Sequence, residues 1–290
     1  MRQWIMVLAT AGILVEGFAA ELPVKDFQPP LFAFQTGFAR ADSREPAYLC
    51  ELVKRAGLAG VELMGLGQVD AFMPELEARG LRLFTLYVKV DLDAEQPYEA
   101  QLKPMLQKWR GKIPHLWLHV HSRRFKKSDP AGDARCVAVL RELADFAKPA
   151  GVGLGIYPHT GFWVERFGDG VRVARKVDRE NVGAVFNLCH YLRTDGPANL
   201  DAELRAAFPH VMLVSINGAA DGDTTRLGWS ELIQPLGEGG FDVGRVLRVL
   251  KEQGYRGPIG LQGYGIQRRP EDFFPASVAA YRRYLAELKR

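Results

Sequence analysis

Two polar side chains interrupt an apolar run in the stretch AVFNLCHYL, residues 184–192. Asn187 follows three apolar residues, and His190 lies three positions further on. This pattern predicts a buried strand that delivers both side chains to a pocket. A carboxylate at position 187 would be a good metal ligand beside an imidazole, whereas an amide oxygen carries no charge to offset a cation. The stretch therefore predicts a ligand site that lacks its most useful metal ligand.

Polar side chains also recur near the ends of the other apolar segments. Histidines or amides at several successive segment ends need a common explanation, because each buried polar group must be hydrogen-bonded or else costs free energy. The pattern predicts a ligand pocket. The polar residues at these positions are Gln35, Glu62, Lys89, Asp91, His119, His121, Tyr157, His159, Asn187, His190, Ser215, Asn217, Gln262 and Tyr264.

Strand-like and helix-like segments alternate along the chain and must position these side chains. The strand-like segments are apolar almost throughout, which is typical of strands buried on both faces. Glycines at helix ends and short connections favour alternating β/α units. The predicted strands are 31–38, 60–66, 82–92, 115–122, 152–159, 181–190, 210–218 and 258–266. The predicted helices are 43–57, 71–80, 99–111, 134–151, 170–178, 200–208, 241–254 and 275–289.

Eight strand–helix pairs predict an α/β fold in which the parallel strands close into a (β/α)8 TIM barrel. An open, doubly wound sheet is the alternative, but no Gly-x-Gly-x-x-Gly follows the first strand. No linker or repeat divides the chain, so residues 20–290 are predicted to form one domain. In such a barrel the carboxyl ends of the strands build the site.

The first residues have the pattern of a secretory signal peptide. A charged start and a short apolar core precede small residues, which predicts cleavage after Ala19 and a periplasmic or secreted protein. An uncleaved membrane anchor is the alternative, although the apolar run is short of the roughly 20 residues that span a bilayer. No membrane association is expected after cleavage. The three cysteines are interpreted as buried thiols rather than as disulfides.

The charge pattern argues against a nucleic-acid partner. The formal net charge is +4, with 25% charged and 47% apolar residues, and the densest basic run is RRFKK at 123–127. Nucleic-acid binding would need a clustered basic stripe. The composition leaves the oligomeric state open.

Four stretches resemble the xylose isomerase-like TIM-barrel superfamily, which includes sugar-phosphate isomerases and epimerases and the endonuclease IV family. They are GLGIYPHTG, VGAVFNLCH, MLVSINGAADGD and LGEGGFDVGRVLRVLKEQGYRGPIGLQGYG. The likeness covers roughly residues 30–288 and is better in the second half. The resemblance implies the barrel and a small-molecule carbohydrate as the ligand, but one fold hosts many chemistries.

The chain departs from this family at the positions that usually hold a divalent ion. The family typically uses Glu, Asp, His and Glu at the ends of strands 5 to 8. The matching residues here are Tyr157, Asn187, Asn217 and Gln262, which include no carboxylate. They are expected to converge in the barrel mouth without binding a divalent ion tightly, and no other cofactor is expected. Nor can Gln262 take a proton from a sugar carbon.

Three hypotheses follow. The first is a sugar isomerase, epimerase or lyase with relocated catalytic groups, for which the candidates are Glu62, Lys89, His159 and His190. The second is a catalytically inactive, metal-free carbohydrate-binding protein, since amides both donate to and accept from hydroxyls. The candidate binding residues are His121, Tyr157, Trp163, Asn187, Asn217, Gln262 and Tyr264.

The third hypothesis is a relocated zinc site formed by His121, His159 and His190. It requires the three imidazoles to converge, because zinc lies about 2.1 Å from each ligand nitrogen. Hydrogen bonding by the histidines to their neighbours is the alternative. Endonuclease activity is not expected, because that family needs several metals with many histidine and acidic ligands.

Overall fold

Eight parallel strands close into a barrel, and their order in the sheet is their order in the chain. The computed structural model describes residues 26–289. β1 pairs with β2 on one side and with β8 on the other, which closes the sheet and confirms the predicted (β/α)8 fold. The strands are β1 (Leu31–Ala33), β2 (Gly60–Met64), β3 (Arg82–Asp91), β4 (His115–His121), β5 (Gly153–Tyr157), β6 (Val182–Asn187), β7 (Val211–Ile216) and β8 (Ile259–Leu261).

The helices surround the barrel, and the longer ones each bury one apolar face against it. In α1, buried residues recur every three or four positions, and Gly57 ends the helix in the left-handed conformation with φ 82°. The helices are α1 (Pro46–Ala56), α2 (Val69–Ala78), α3 (Leu102–Lys108), α4 (Asp133–Ala147), α5 (Phe167–Val177), α6 (Leu188–Thr194), α7 (Leu200–Ala207), α8 (Trp229–Leu232), α9 (Gly244–Glu252) and α10 (Pro270–Glu287).

The inside of the barrel is filled by large side chains that pack against glycines. A Cβ atom on Gly260 would lie 2.4 Å from the ring of Phe34 and 3.0 Å from that of Trp117. A Cβ on Gly155 would lie 2.8 Å from a methyl group of Val185. The glycines of β8 and β5 therefore provide the room that the aromatic rings occupy. The inner core comprises Phe32, Phe34, Phe84, Trp117, Tyr157, Val185 and Leu213.

All eight strands end earlier than the sequence predicted, and the difference changes the placement of predicted strand-end residues at β1 and β6. β1 stops at Ala33, and Gln35–Arg40 form a 3-10 turn instead of continuing the strand. β6 stops at Asn187, and His190 lies in the first turn of α6, so the prediction of His190 on a strand was wrong. Apolar periodicity could not separate strand from helix here, because α6 is buried on nearly all sides.

The predicted signal peptide, residues 1–19, lies outside the described residues. Within residues 26–289, no helix combines the length and the apolar character that a membrane crossing requires. The three cysteines, Cys50, Cys136 and Cys189, are free and buried, as predicted.

Candidate active site

A cavity of about 560 Å³ opens at the carboxyl ends of the strands. This is the face on which barrels of this type build their sites, and the volume suits a small ligand. Aromatic rings, hydroxyls and imidazoles make up most of the wall. The lining residues are Phe34, Thr36, Glu62, Met64, Tyr87, His119, Tyr157, His159, Thr160, Phe162, His190, Trp229, Ile233, Gln262 and Tyr264.

Glu62 is the one carboxylate that lines the cavity in the described part of the chain. It lies near the end of β2 with 2% of its surface exposed, and one carboxylate oxygen accepts a hydrogen bond of 2.7 Å from the backbone N–H of Gln35. Burial raises the pKa of Glu62 to about 7, although the Gln35 N–H acts in the opposite direction. A carboxyl group with this pKa can take and return a proton at neutral pH.

The cavity also holds three histidines that are uncharged at neutral pH. Burial lowers the pKa of His119 to about 3, with further contributions from His121 and His159. Burial likewise lowers the pKa values of His159 and His190. Tyr87 stacks on His119 with 4.1 Å between ring centroids. These rings can donate or accept hydrogen bonds, but they bring no positive charge to the pocket.

The histidines do not form the relocated zinc site. The ring of Phe162 lies between His121 and His159, with centroid distances of 3.8 Å and 3.9 Å. His121 instead contacts His119 through a hydrogen bond of 2.6 Å. Across residues 26–289, no three His, Cys, Asp or Glu side chains are placed to share a metal ion. The zinc hypothesis is therefore wrong for these three residues.

Tyr157 lies beside two of the other three residues at the family's ligand positions. The amide nitrogen of Asn187 donates to the hydroxyl of Tyr157, and the side chain of Gln262 lies near the same hydroxyl. Burial, followed by the nearby Tyr87, raises the pKa of Tyr157 well above its ordinary value of 10. Asn217 does not join them, because its amide nitrogen donates to the backbone oxygens of Gly218 and Leu232.

The oxygens at two of these positions already accept hydrogen bonds from the protein. The Gln262 amide oxygen already accepts from the Thr36 hydroxyl and from the backbone N–H groups of Gly263 and Tyr264, each at 2.9 Å. The Asn187 oxygen accepts from the thiol of Cys189 at 3.1 Å. A metal would have to displace these donors, and it would gain neutral ligands only.

Several residues that the sequence singled out lie outside the cavity wall. Lys89 is half exposed and pairs with Asp91 at 2.9 Å. Trp163 is 1% exposed, and its indole N–H donates to the backbone of Asp129, so it packs beneath the loop instead of gripping a ligand. His121, Asn187 and Asn217 also lie behind the wall, whereas the other candidates line it: Glu62, Tyr157, His159, His190, Gln262 and Tyr264.

The cavity also contains residues that the sequence argument missed. Phe162 lies in the loop after β5, and Trp229 begins the short helix α8 after β7. No periodic sequence pattern predicts the position of a side chain in such segments. Tyr87 and Met64 alternate with buried strand residues and could have been found by extending the period-two pattern. The full set is Phe34, Thr36, Met64, Tyr87, Thr160, Phe162, Trp229 and Ile233, with His119 named before only as a strand-end residue.

Comparison with known proteins shows to which family the chain belongs. The model of the xylose isomerase-like TIM barrel family matches residues 50–284. The inosose isomerase of Halalkalibacterium halodurans is 30% identical over 138 residues, which are 47% of this chain and 46% of that protein. The match therefore spans about half the length of that relative.

Solved structures agree with the fold. An L-ribulose 3-epimerase superposes with a TM-score of 0.71 at 15% identity, covering 91% of this chain and 96% of that one. A 3-keto-D-glucoside 4-epimerase from E. coli gives 0.67 at 16% identity, covering 88% and 100%. At these identities the likeness concerns the fold alone.

Proposed function

Because this chain belongs to the xylose isomerase-like TIM barrel family, we propose that it is a carbohydrate isomerase or epimerase in which Glu62 moves the proton. The observation that carries the proposal is the position of Glu62, which is the one carboxylate lining the cavity among residues 26–289. Its pKa of about 7 suits a general base at neutral pH. The inosose isomerase relative supports a cyclic or open-chain keto-sugar as the substrate.

The proposed step is the abstraction of a proton from the carbon next to a carbonyl group. The Glu62 carboxylate takes the proton, the C–H electron pair forms the double bond of an enediolate, and the carbonyl oxygen takes the negative charge. Uncharged N–H and O–H donors in the wall stabilise that oxygen. Return of the proton to the former carbonyl carbon, with transfer of the hydroxyl proton of the deprotonated carbon to the former carbonyl oxygen, completes an isomerisation.

The experiment is solvent-hydrogen exchange in heavy water. Purified protein is incubated with ketopentoses, ketohexoses, inososes and 3-keto-glycosides in the presence of a chelator, and NMR follows deuterium at carbons next to the carbonyl. Exchange on at least one class supports the proposal. Saturable binding without any exchange would instead favour the carbohydrate-binding alternative, and neither binding nor exchange would overturn both.

We also propose that the family's usual metal position is degenerate here, because its oxygens already accept hydrogen bonds. Asn187→Asp with Gln262→Glu should restore affinity for manganese, cobalt or zinc, which the unmodified protein should bind weakly. The metal-free double variant should lose about 2 kcal/mol of stability, because two buried carboxylates repel each other. Calorimetry with each ion tests this, and the exposed Gln267→Glu serves as control. Tight stoichiometric binding by the unmodified protein through these residues would contradict it.

We propose further that the protein is exported to the periplasm or secreted after removal of residues 1–19, as the start of the sequence suggests. Intact-mass measurement of the protein from its native host should give a chain that begins at Ala20. A chain that retains Met1–Ala19 in the cytoplasm would refute export.

A further inference from the structure

The backbone of Thr160 contacts the two neighbouring imidazoles in opposite ways. Its carbonyl oxygen lies 2.9 Å from Nδ1 of His159. A carbonyl oxygen can only accept, so Nδ1 of His159 must carry the proton. The other ring nitrogen, Nε2, is therefore left with a lone pair. One backbone group thus makes His159 a hydrogen-bond acceptor.

The second contact fixes the other ring in the opposite tautomer. The backbone N–H of Thr160 donates to Nδ1 of His190 over 3.2 Å, and the Thr160 hydroxyl lies 3.1 Å from the same nitrogen. A backbone N–H can only donate, so Nδ1 of His190 must carry the lone pair and Nε2 the proton. His190 is therefore a hydrogen-bond donor.

Both free nitrogens belong to rings that line the cavity. The rings are tilted by 44° with centroids 4.2 Å apart, so the two Nε2 atoms belong to adjacent groups. Burial lowers both pKa values, which keeps the rings uncharged and the tautomers distinct. Neither Nε2 makes a hydrogen bond to the protein within the described residues, whereas both Nδ1 atoms are engaged by the backbone of Thr160. The two adjacent rings of the cavity wall thus retain one acceptor nitrogen and one donor nitrogen.

We propose that His159 and His190 together recognise an α-hydroxyketone. His190 Nε2–H donates to the ketone oxygen, and His159 Nε2 accepts from the hydroxyl on the neighbouring carbon. This deepens the proposed function and rests on it, because an α-hydroxyketone is the unit from which Glu62 can remove a proton to form an enediolate. In this proposal two uncharged imidazoles hold both oxygens of the ligand. The residues at the family's ligand positions on strands 5 to 8 include no carboxylate with which to hold a metal ion for that purpose.

The pair discriminates between ligands by chemistry. A simple ketone leaves the lone pair of His159 without a donor, and a methyl ether cannot supply one. A probe that leaves this nitrogen unmatched loses one hydrogen bond and binds more weakly, by about 3- to 10-fold. Small cyclic probes carry only this recognition unit, so we choose 2-hydroxycyclohexanone, cyclohexanone and 2-methoxycyclohexanone.

The first measurement needs neither ligand nor variant. Long-range ¹H–¹⁵N NMR of the labelled protein at neutral pH reports the protonated nitrogen of each histidine. We expect Nδ1–H for His159 and Nε2–H for His190. The same tautomer for both, or a charged ring for either, would overturn the proposal.

The second measurement is ligand-observed NMR with the three probes. We expect 2-hydroxycyclohexanone to bind about 3- to 10-fold more tightly than the other two. His159→Phe should remove this preference, whereas His190→Phe should weaken the hydroxyketone and the ketone alike and leave the preference intact. His121→Phe, the same change behind the cavity wall, is the control and should alter neither. Equal affinities for the three probes, or no binding of the hydroxyketone, would overturn the proposal.

The outcomes separate this inference from the proposed catalysis. The expected tautomers and hydroxyl preference without solvent-hydrogen exchange would retain the recognition site and reject Glu62 as a working base. Exchange that His159→Phe and His190→Phe leave unchanged would retain catalysis by Glu62 and reject the histidine pair.

Discussion

Glu62→Gln should lower the rate of solvent-hydrogen exchange by about 10²- to 10⁴-fold, the usual contribution of a positioned general base. Glutamine keeps the shape of the side chain and can still accept the Gln35 N–H, but its amide cannot take a proton from carbon. Binding of the keto-sugar should change little, because the variant removes only the proton acceptor. The measurement is the exchange rate and the dissociation constant on the sugar that reacts.

The same carboxylate fixes the pH dependence of the unmodified protein. The working form is ionised, and the pKa of Glu62 is about 7. The rate should therefore rise as pH increases through about 7, fall about tenfold for each pH unit below it, and level off above it. Lys89→Gln, outside the cavity, should leave rate and profile unchanged. A rate that is flat from about pH 5 to 8 would show that another group takes the proton.

Glu62→Gln should also stabilise the protein above neutral pH, by about 3 kcal/mol. The folded pKa of about 7 lies above the ordinary value of 4.5, so the folded state binds the proton more tightly than the unfolded state does. Ionised Glu62 therefore destabilises the fold. The cost is absent below about 4.5, grows between about 4.5 and 7, and is complete above about 7. One pKa unit corresponds to about 1.4 kcal/mol, which gives the expected gain.

Denaturant unfolding at about pH 8 and about pH 4 measures this difference. The variant should be more stable at the higher pH and equal to the parent at the lower pH. Glu95→Gln, an exposed position, is the matched control and should change stability by less than about 0.5 kcal/mol at either pH. A variant that is less stable than the parent at the higher pH would mean that the ionised carboxylate is well solvated or well paired. The expected gain also means that the base is kept at a cost in stability.

The barrel was predictable because both faces of its strands are buried, so that every strand reads as an apolar run between turn signals. The position of Glu62 followed from the same argument, since parallel strands bring their carboxyl ends together. The same argument could not predict where a side chain that lies just beyond a strand end would point. Asn217 follows β7 just as Gln262 follows β8, yet its amide nitrogen donates to the backbone oxygen of Leu232, the last residue of α8.

Loops and helix starts account for the other differences. His190 could not be placed on a helix, because the first five residues of α6, 188–192, are all buried and show no helical alternation of apolar and polar positions. Trp163 was a candidate carbohydrate-binding residue, but its indole N–H donates to the backbone oxygen of Asp129 in a distant loop. Phe162, which separates two of the histidines, lies in a loop after β5, and nothing in its neighbourhood signals that position. Tertiary contacts decide such positions, and a single sequence does not display them.

The aromatic inner core of the barrel restricts how a ligand can enter and leave the cavity. Because Phe32, Phe34 and Trp117 fill the interior against Gly155 and Gly260, the cavity communicates with solvent at the strand ends and is blocked below by close-packed rings. Any ligand must therefore enter and leave through the same opening, which is flanked by the exposed side chains of Met64 and Tyr264. Under the proposed function, a bound product excludes the substrate, so we expect competitive product inhibition. Substitutions at Met64 or Tyr264 should alter ligand release as much as ligand entry.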